Sequence, residues 1–202
     1  MKIYTPKLFK AIQIIATLIL FASFILSFLN IPVWDWDFWW HIATGRYIIE
    51  TGIIPDKDPF SYTSNLAENK NPFPVWENLI LKQYWLSQVI FYLIYGYSGA
   101  KGIIVLRTIL LTATLVLVLL RLKRYNVSFP ITFIFLFILF TALSKATGER
   151  PVLFTIFFTA LTFFILDDFK LKRDKKIFFL IPIMLLWANM HGGFIIGIMV
   201  IL

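Results

Sequence analysis

"AIQIIATLILFASFILSFL", from Ala11 to Leu29, is the stretch that decides the fold, because it contains no charged side chain. A helix needs roughly 20 predominantly apolar residues to cross a hydrocarbon core about 30 Å thick, and this stretch meets that requirement. The whole chain of 202 residues is 59% hydrophobic and only 15% charged. A soluble domain of this size cannot bury so much apolar surface, so the sequence predicts an integral membrane protein.

Further apolar runs follow the first one: Ile103–Leu120, Val127–Leu143, Val152–Leu166 and Ile177–Leu202. Arg107 interrupts the first of them, and we expect its long side chain to reach outward to the interface. In the last run, either His191 and the glycines after it break a helix, or one continuous helix carries His191 into the bilayer. We predict an all-α, polytopic helical bundle with about five to six transmembrane helices, forming a single membrane domain over residues 1–202.

The net charge of +8 follows from the positions of the basic residues and does not indicate a nucleic-acid partner. Three basic segments fall on the same side if each apolar run crosses once: Lys2–Lys10, Arg121–Arg124 and Lys170–Lys176. The positive-inside rule makes that side cytoplasmic. We therefore predict a multi-pass protein of the inner (plasma) membrane with a cytoplasmic N-terminus and no nucleic-acid partner.

This topology leaves residues 30–100 as one large external loop, and loops of that length are usually functional. Apolar residues at helical spacing predict two interfacial helices within it, over residues 37–50 and about 83–97. The tryptophans of the first helix suit the headgroup level of a membrane. The chain ends inside apolar sequence at Leu202, which we interpret as a truncation at the C-terminus.

Asp35 and Asp37 form a D-x-D pair at the start of the first interfacial helix. Such a pair can coordinate a divalent ion such as Mg²⁺ or Mn²⁺ beside a phosphate, or supply a base for an acceptor hydroxyl. The alternative is two solvated acids at a helix N-terminus, where the helix dipole favours negative charge. A functional site is favoured by His41, which follows Asp37 by one turn beside Trp40.

Other candidate residues lie in later segments of the chain. Arg150 can hold a phosphate oxygen, since a guanidinium matches phosphate geometry, or it can pair with Glu149 at the interface. His191 either faces a cavity or, together with Asn189, forms hydrogen bonds between helices. Trp85 either contributes to the lining above the membrane or packs against the helix that follows it.

Four separated motifs resemble a family of bacterial polytopic membrane proteins related to the GT-C-fold glycosyltransferases. They are, in chain order, "DWDFWWHIATGRYIIETGIIPDKDPFSYT", "YWLSQVIFYLIY", "GERPVLFT" and "LLWANMHGGF". Relatives of that family include protein mannosyltransferases and lipid A aminoarabinose transferases. The resemblance covers nearly the whole chain, and it implies a polyprenyl-phosphate-linked sugar donor and inverting transfer at the outer face of the membrane. It also implies a catalytic aspartate in the first external loop, which is Asp35 or Asp37; we prefer Asp37 because it is in register with His41.

Two departures from the family pattern are present. Tyr84 stands where the family often has an acidic residue before "WLS", and the relatives have more transmembrane helices, so the chain resembles an N-terminal portion. Our first hypothesis is a glycosyltransferase-like protein with membrane lipid, a polyprenyl-phosphate sugar and an unidentified acceptor as partners. In it, Asp37 and Asp35 are catalytic or bind a metal. The substrate is bound by His41, Arg150, Glu149, His191, Trp40 and Trp85.

The second hypothesis is a non-enzymatic membrane component: a transporter or flippase subunit, or an assembly factor for cell-surface polysaccharide. A transporter is expected to bury ionisable groups near the bilayer midplane, often where helices are broken. Only the region of His191 fits that pattern, whereas most acids lie in the external segments. The sequence therefore favours chemistry at the membrane surface.

Overall fold

The structure, a computed structural model, describes residues 6–56, 59–60, 82, 84–146, 148–173 and 175–202. The part of the predicted external loop between residues 61 and 81 lies outside these ranges. Within them the regular elements are all helical. In chain order they are α1 (Pro6–Asn30), α2 (Asp37–Thr51), α3 (Trp85–Arg124), α4 (Phe129–Ala146), α5 (Val152–Lys172), a 3₁₀ helix (Lys175–Phe179), α6 (Leu180–Met190) and α7 (Phe194–Ile201).

Three of these helices, α1, α3 and α5, are long and apolar enough to cross a membrane. Helix α4 is apolar but shorter. The outward surfaces are also apolar: large side chains such as Leu18, Ile134 and Leu185 are exposed. Such a surface suits lipid, where each helix satisfies its own backbone hydrogen bonds. The chain is therefore a helical membrane protein.

The last apolar run is broken, as one of the two alternatives from the sequence predicted. Helix α6 ends at Met190, and His191 adopts an extended conformation with φ −165° and ψ 139°. Helix α7 then begins at Phe194. The His191 N–H still donates to the Trp187 carbonyl as the last hydrogen bond of α6, and the chain turns after it, so the His191 side chain is positioned by the turn and by its neighbours.

Helix α3 also changes direction along its length. Gly99 has φ 62° and ψ −156°, a conformation that side chains other than glycine rarely adopt, and it separates residues 85–98 from the rest of the helix. The predicted interfacial helix at residues 83–97 corresponds to this first part, which packs closely against α2. No loop separates it from the crossing part, because the chain bends at Gly99 and continues as a helix.

The basic ends of the helices meet at one end of the bundle. Arg121 Nε lies 2.6 Å from Asp167 Oδ2, and Arg124 Nη2 lies 3.0 Å from Asp168 Oδ1, so α3 and α5 are joined there. Lys10 of α1 lines a groove at the same end. The sequences that connect α1 to α2 and α4 to α5 therefore lie at the opposite end, where the acidic residues Asp35 and Asp37 are found.

Candidate functional site

A cavity of about 710 Å³ lies at the end of the bundle opposite the basic residues. Its wall consists of Trp34, Asp35, Asp37, Trp40, His41, Tyr84, Gly148, Arg150, Pro151, Val152 and His191. Six of the residues singled out from the sequence therefore meet in one wall, although they come from three separate parts of the chain. Glu149 and Trp85, which we also predicted as substrate-binding, are not in the wall.

A guanidinium lies between the two aspartates of the D-x-D pair. Arg150 Nε donates a hydrogen bond of 2.6 Å to Asp35 Oδ2, and Arg150 Nη2 lies 3.1 Å from Asp37 Oδ2. The side chain of Asp35 is 3% exposed, whereas those of Arg150 and Asp37 are 49% and 57% exposed. Asp35 is thus a buried partner of Arg150, and the interpretation as a solvated acid fits Asp37 alone. The hydrogen bond that Arg150 donates to Asp35 raises the pKa of Arg150, so the guanidinium stays charged.

The second carboxylate oxygen of Asp35 is also engaged. Asp35 Oδ1 accepts a hydrogen bond of 3.0 Å from the backbone N–H of Asp37. A metal ion at this pair would have to displace Arg150 from both carboxylates and to compete with that N–H. Across the described residues no group of three or more His, Cys, Asp or Glu side chains is placed to hold a metal ion. The donor set fits a guanidinium better than Mg²⁺ or Mn²⁺.

Glu149 supports the site from behind the wall. Its side chain is fully buried, and its Oε2 accepts hydrogen bonds from the backbone N–H groups of Trp34 and Asp35, at 3.2 and 3.3 Å. Its Oε1 pairs with Arg107. Glu149 therefore fixes the backbone on which Asp35 is carried, and Arg150 pairs with the aspartates, not with Glu149.

Arg107 extends toward the cavity end of the bundle, but it does not reach an exposed interface as the sequence led us to expect. Its side chain is 2% exposed, and besides Glu149 it contacts backbone carbonyls at the end of α1 and just after it. One of these carbonyls, Phe28 O, belongs to the last turn of α1, where carbonyls have no partner within their own helix. The guanidinium thus ends α1 and positions the connection to α2 at the same time.

Two histidines line the cavity, His41 buried and His191 partly buried. His41 Nδ1 lies 3.3 Å from Gln88 Nε2. Burial, together with the charge of Arg150 and against the opposing charge of Asp35, lowers the pKa of His41 to about 4. His191 Nδ1 lies 2.7 Å from Thr155 Oγ1, and burial likewise lowers the pKa of His191. Both rings are therefore neutral at neutral pH.

The polar residues near His191 serve two purposes. Asn189 Oδ1 accepts a hydrogen bond of 2.9 Å from Trp85 Nε1, which is the hydrogen bond between helices that we considered as an alternative. His191 both bonds to Thr155 of α5 and lines the cavity. Tyr84 contacts the rings of His41 and His191, with centroid distances of 5.8 and 5.4 Å. In the sequence Tyr84 stands out only as a departure from the family pattern, and its place in the wall was not predicted.

The fold and the site together define an all-helical membrane protein with a polar, aromatic-lined cavity at one end of its bundle. No family model, no curated protein and no solved structure matches the chain. The chemistry of the cavity is therefore argued from its own residues.

Gly148 gives a direct test of this geometry. A Cβ at Gly148 would overlap the Asp35 carboxylate, so Gly148→Ala is expected to displace the pair between Asp35 and Arg150. Overpacking of this kind costs about 1–3 kcal/mol in free energy of unfolding, which a lower thermal midpoint in detergent will report.

The matched control for this variant is Gly96→Ala, because a Cβ at Gly96 in α3 meets nothing within 4 Å. Alanine is a better helix former than glycine, so this control should unfold at the same temperature as the parent or slightly higher. Equal midpoints for the Gly148→Ala variant and the parent would contradict the close approach of Asp35.

Proposed function

We propose that the chain is a glycosyltransferase-like membrane protein, which transfers a sugar from a polyprenyl-phosphate donor to an acceptor at the outer face of the membrane. The observation that carries the proposal is the placement of the Asp37 carboxylate beside the Arg150 guanidinium in one cavity wall. A carboxylate is the base that an acceptor hydroxyl requires, and a guanidinium is suited to the phosphate that leaves.

In the proposed reaction, the acceptor hydroxyl gives its proton to the Asp37 carboxylate. The acceptor oxygen forms a bond to the anomeric carbon of the sugar, and the bond from that carbon to the phosphate oxygen breaks. Its electron pair remains on the polyprenyl phosphate, whose growing negative charge is stabilised by Arg150. Asp35 holds Arg150 in position, because its buried carboxylate accepts from Arg150 Nε.

Aromatic side chains around the cavity support a lipid-linked donor. Trp34 lines the cavity and is about half exposed, and Trp36 and Trp39 are exposed beside it. Tryptophan at a membrane surface places an apolar ring against acyl chains and its N–H near the headgroups. A polyprenyl chain can therefore lie along these rings while its phosphate reaches Arg150.

The proposed topology places the cavity outside the cytoplasm. The basic end of the bundle is the cytoplasmic end by the positive-inside rule, so α1 runs outward and the cavity lies at the outer face of the inner membrane. Helix α4, of 18 residues, is about 27 Å long at 1.5 Å per residue, and we propose that it makes a further crossing. We propose that the broken pair α6 and α7 makes the next, for a total of five crossings, which is within the range expected from the sequence.

The test uses the purified chain in nanodiscs. We would follow its thermal midpoint against polyprenyl phosphates and polyprenyl-phosphate sugars, with and without Mg²⁺ or Mn²⁺, and measure release of polyprenyl phosphate. A ligand that binds only the folded state at a hundredfold excess over its Kd stabilises the fold by about 2.7 kcal/mol. We expect a saturable shift that Arg150→Ala abolishes. The matched control is Arg46→Ala, which removes an exposed arginine of α2 outside the cavity.

The outcomes separate the two hypotheses. A shift together with release of polyprenyl phosphate supports the transferase. Binding of the lipid without release, across a panel of hydroxylated acceptors, supports a non-enzymatic transporter or flippase subunit or an assembly factor. If no lipid phosphate shifts the midpoint of the folded protein, the lipid-linked donor is contradicted.

A further inference from the structure

The tautomer of His191 is fixed by its hydrogen bonds. The backbone N–H of Gly193 donates to His191 Nδ1 at 3.0 Å, and an N–H can only donate, so Nδ1 is the acceptor. Thr155 Oγ1 accepts from Trp187 Nε1 at 2.8 Å, which leaves the Thr155 hydroxyl hydrogen to point at the same Nδ1, 2.7 Å away. A neutral imidazole whose Nδ1 accepts carries its proton on Nε2.

Gln88 fixes His41 in the same tautomer. Gln88 is fully buried in α3. In the orientation in which its Nε2 lies 3.3 Å from His41 Nδ1, its Oε1 has no hydrogen-bond partner in the described part of the chain. The reverse orientation of the amide would leave the N–H groups of Gln88 unpaired instead. Buried unpaired N–H groups are rarer in proteins than under-satisfied carbonyl oxygens. Gln88 therefore donates, and His41 also carries its proton on Nε2.

Both rings turn the same nitrogen toward the cavity. The two histidines lie in the cavity wall, whereas the groups that hold their Nδ1 atoms, on Gln88, Thr155 and Gly193, do not. The Nε2–H groups are thus the ones left to face the cavity, with the ring of Tyr84 in contact with both imidazoles.

We propose that His41 and His191 are a pair of neutral Nε2–H donors that bind phosphate oxygens together with Arg150, and that Gln88 is a positioning residue that sets the tautomer of His41. This inference deepens the proposed function and depends on it only for the identity of the ligand as a lipid phosphate. The phosphate of a polyprenyl-phosphate sugar is a diester, whose free oxygens accept hydrogen bonds from these N–H groups. It has no O–H to donate to a ring whose Nε2 is unprotonated.

Charges around His41 agree with this role. The groups that face it are Asp35 on the connection before α2, Arg150 at the start of α5, Tyr84 before α3, and His191 after α6. One guanidinium between two carboxylates leaves these three side chains with a formal net charge of −1, so they do not attract an anion by themselves. Neutral donors then supply hydrogen bonds to the anion without the cost of burying two imidazolium ions.

The test reads the tautomer directly. In protein labelled with ¹⁵N-histidine at pH 7.5, NMR should show both rings protonated at Nε2. Gln88→Glu is nearly isosteric, but its carboxylate accepts from Nδ1–H, so His41 should switch to the other tautomer. His191 is the internal control in the same sample and should keep its tautomer, because the donors to it are unchanged. Wild-type rings protonated at Nδ1 would overturn the proposal.

Ligand binding completes the test with farnesyl phosphate, farnesol and inorganic phosphate as probes. We expect Gln88→Glu to lower the affinity for farnesyl phosphate at least tenfold and to leave the affinity for farnesol unchanged. Gln88→Leu removes the donor without adding charge, and it should lower the affinity for farnesyl phosphate as well. This variant separates the effect of the His41 tautomer from repulsion between a new carboxylate and the phosphate. Full affinity in Gln88→Leu would overturn the positioning role. An affinity for inorganic phosphate equal to that for farnesyl phosphate would support the anion site while contradicting the lipid donor of the proposed function.

Discussion

Asp37→Asn is expected to slow sugar transfer by roughly 10²–10⁴-fold, the range that a positioned general base contributes. Asparagine keeps the shape of the side chain but cannot take the proton of the acceptor hydroxyl. The side chain of Asp37 is more than half exposed, so the fold does not depend on its charge. Arg150 keeps its partner Asp35, and the affinity for a polyprenyl-phosphate sugar should change much less than the rate.

The measurement is release of polyprenyl phosphate in a single turnover, with the thermal midpoint followed in parallel. Asp56→Asn is the matched control, because Asp56 is an exposed acid of the same segment between α1 and α3, pairs with Lys82 and lies outside the cavity wall. The control should transfer at the parent rate. Unchanged transfer by the Asp37→Asn variant would remove Asp37 as the base.

Glu149→Gln is expected to lower the free energy of unfolding by about 3–5 kcal/mol, because removing one partner of a buried ion pair leaves the other charge buried and uncompensated. Here the uncompensated charge is Arg107, which is 2% exposed. The change also weakens the hydrogen bonds that the backbone of Trp34 and Asp35 donates to Glu149, so the cavity should lose ligand affinity as well.

Thermal unfolding in detergent measures this effect. The control Glu50→Gln removes an exposed carboxylate that pairs with Arg46 one turn away on α2, and it should leave the midpoint unchanged. The double variant Arg107→Met, Glu149→Leu should be more stable than Glu149→Gln, since no buried charge remains. Equal midpoints for Glu149→Gln and Glu50→Gln would show that the Arg107 charge is not buried.

The helices that cross the membrane could be predicted from the sequence because the bilayer sets their minimum length. The run Ala11–Leu29 lies within α1, and Val152–Leu166 lies within α5. The bend of α3 could not be placed in this way, because Gly99 lies between two apolar helical segments and hydropathy does not report backbone angles. Likewise, the apolar run after residue 177 did not decide between one helix and two.

The local part of the site could be predicted as well. Asp37 and His41 are one helical turn apart, so their shared placement follows from helix geometry. The partners of these residues could not be predicted, because Arg150 and Gln88 are brought to them by packing between helices. A useful signal was present at Arg107: a charge inside an apolar run is costly, and this predicts a buried partner of opposite charge. The sequence did not indicate which acid that would be.

The contacts of Glu149 also determine when the cavity can form during synthesis. Arg107 and Glu149 are 42 residues apart, and Asp35 is 115 residues from Arg150. Ribosomes add roughly 5–20 residues per second, so Arg107 is made about 2–8 seconds before its carboxylate partner Glu149. During that interval the guanidinium needs water, a lipid phosphate or an insertion factor to accommodate its charge. Biogenesis therefore has a vulnerable stage that ends only when the segment before α5 has been made and Glu149 has packed against Arg107.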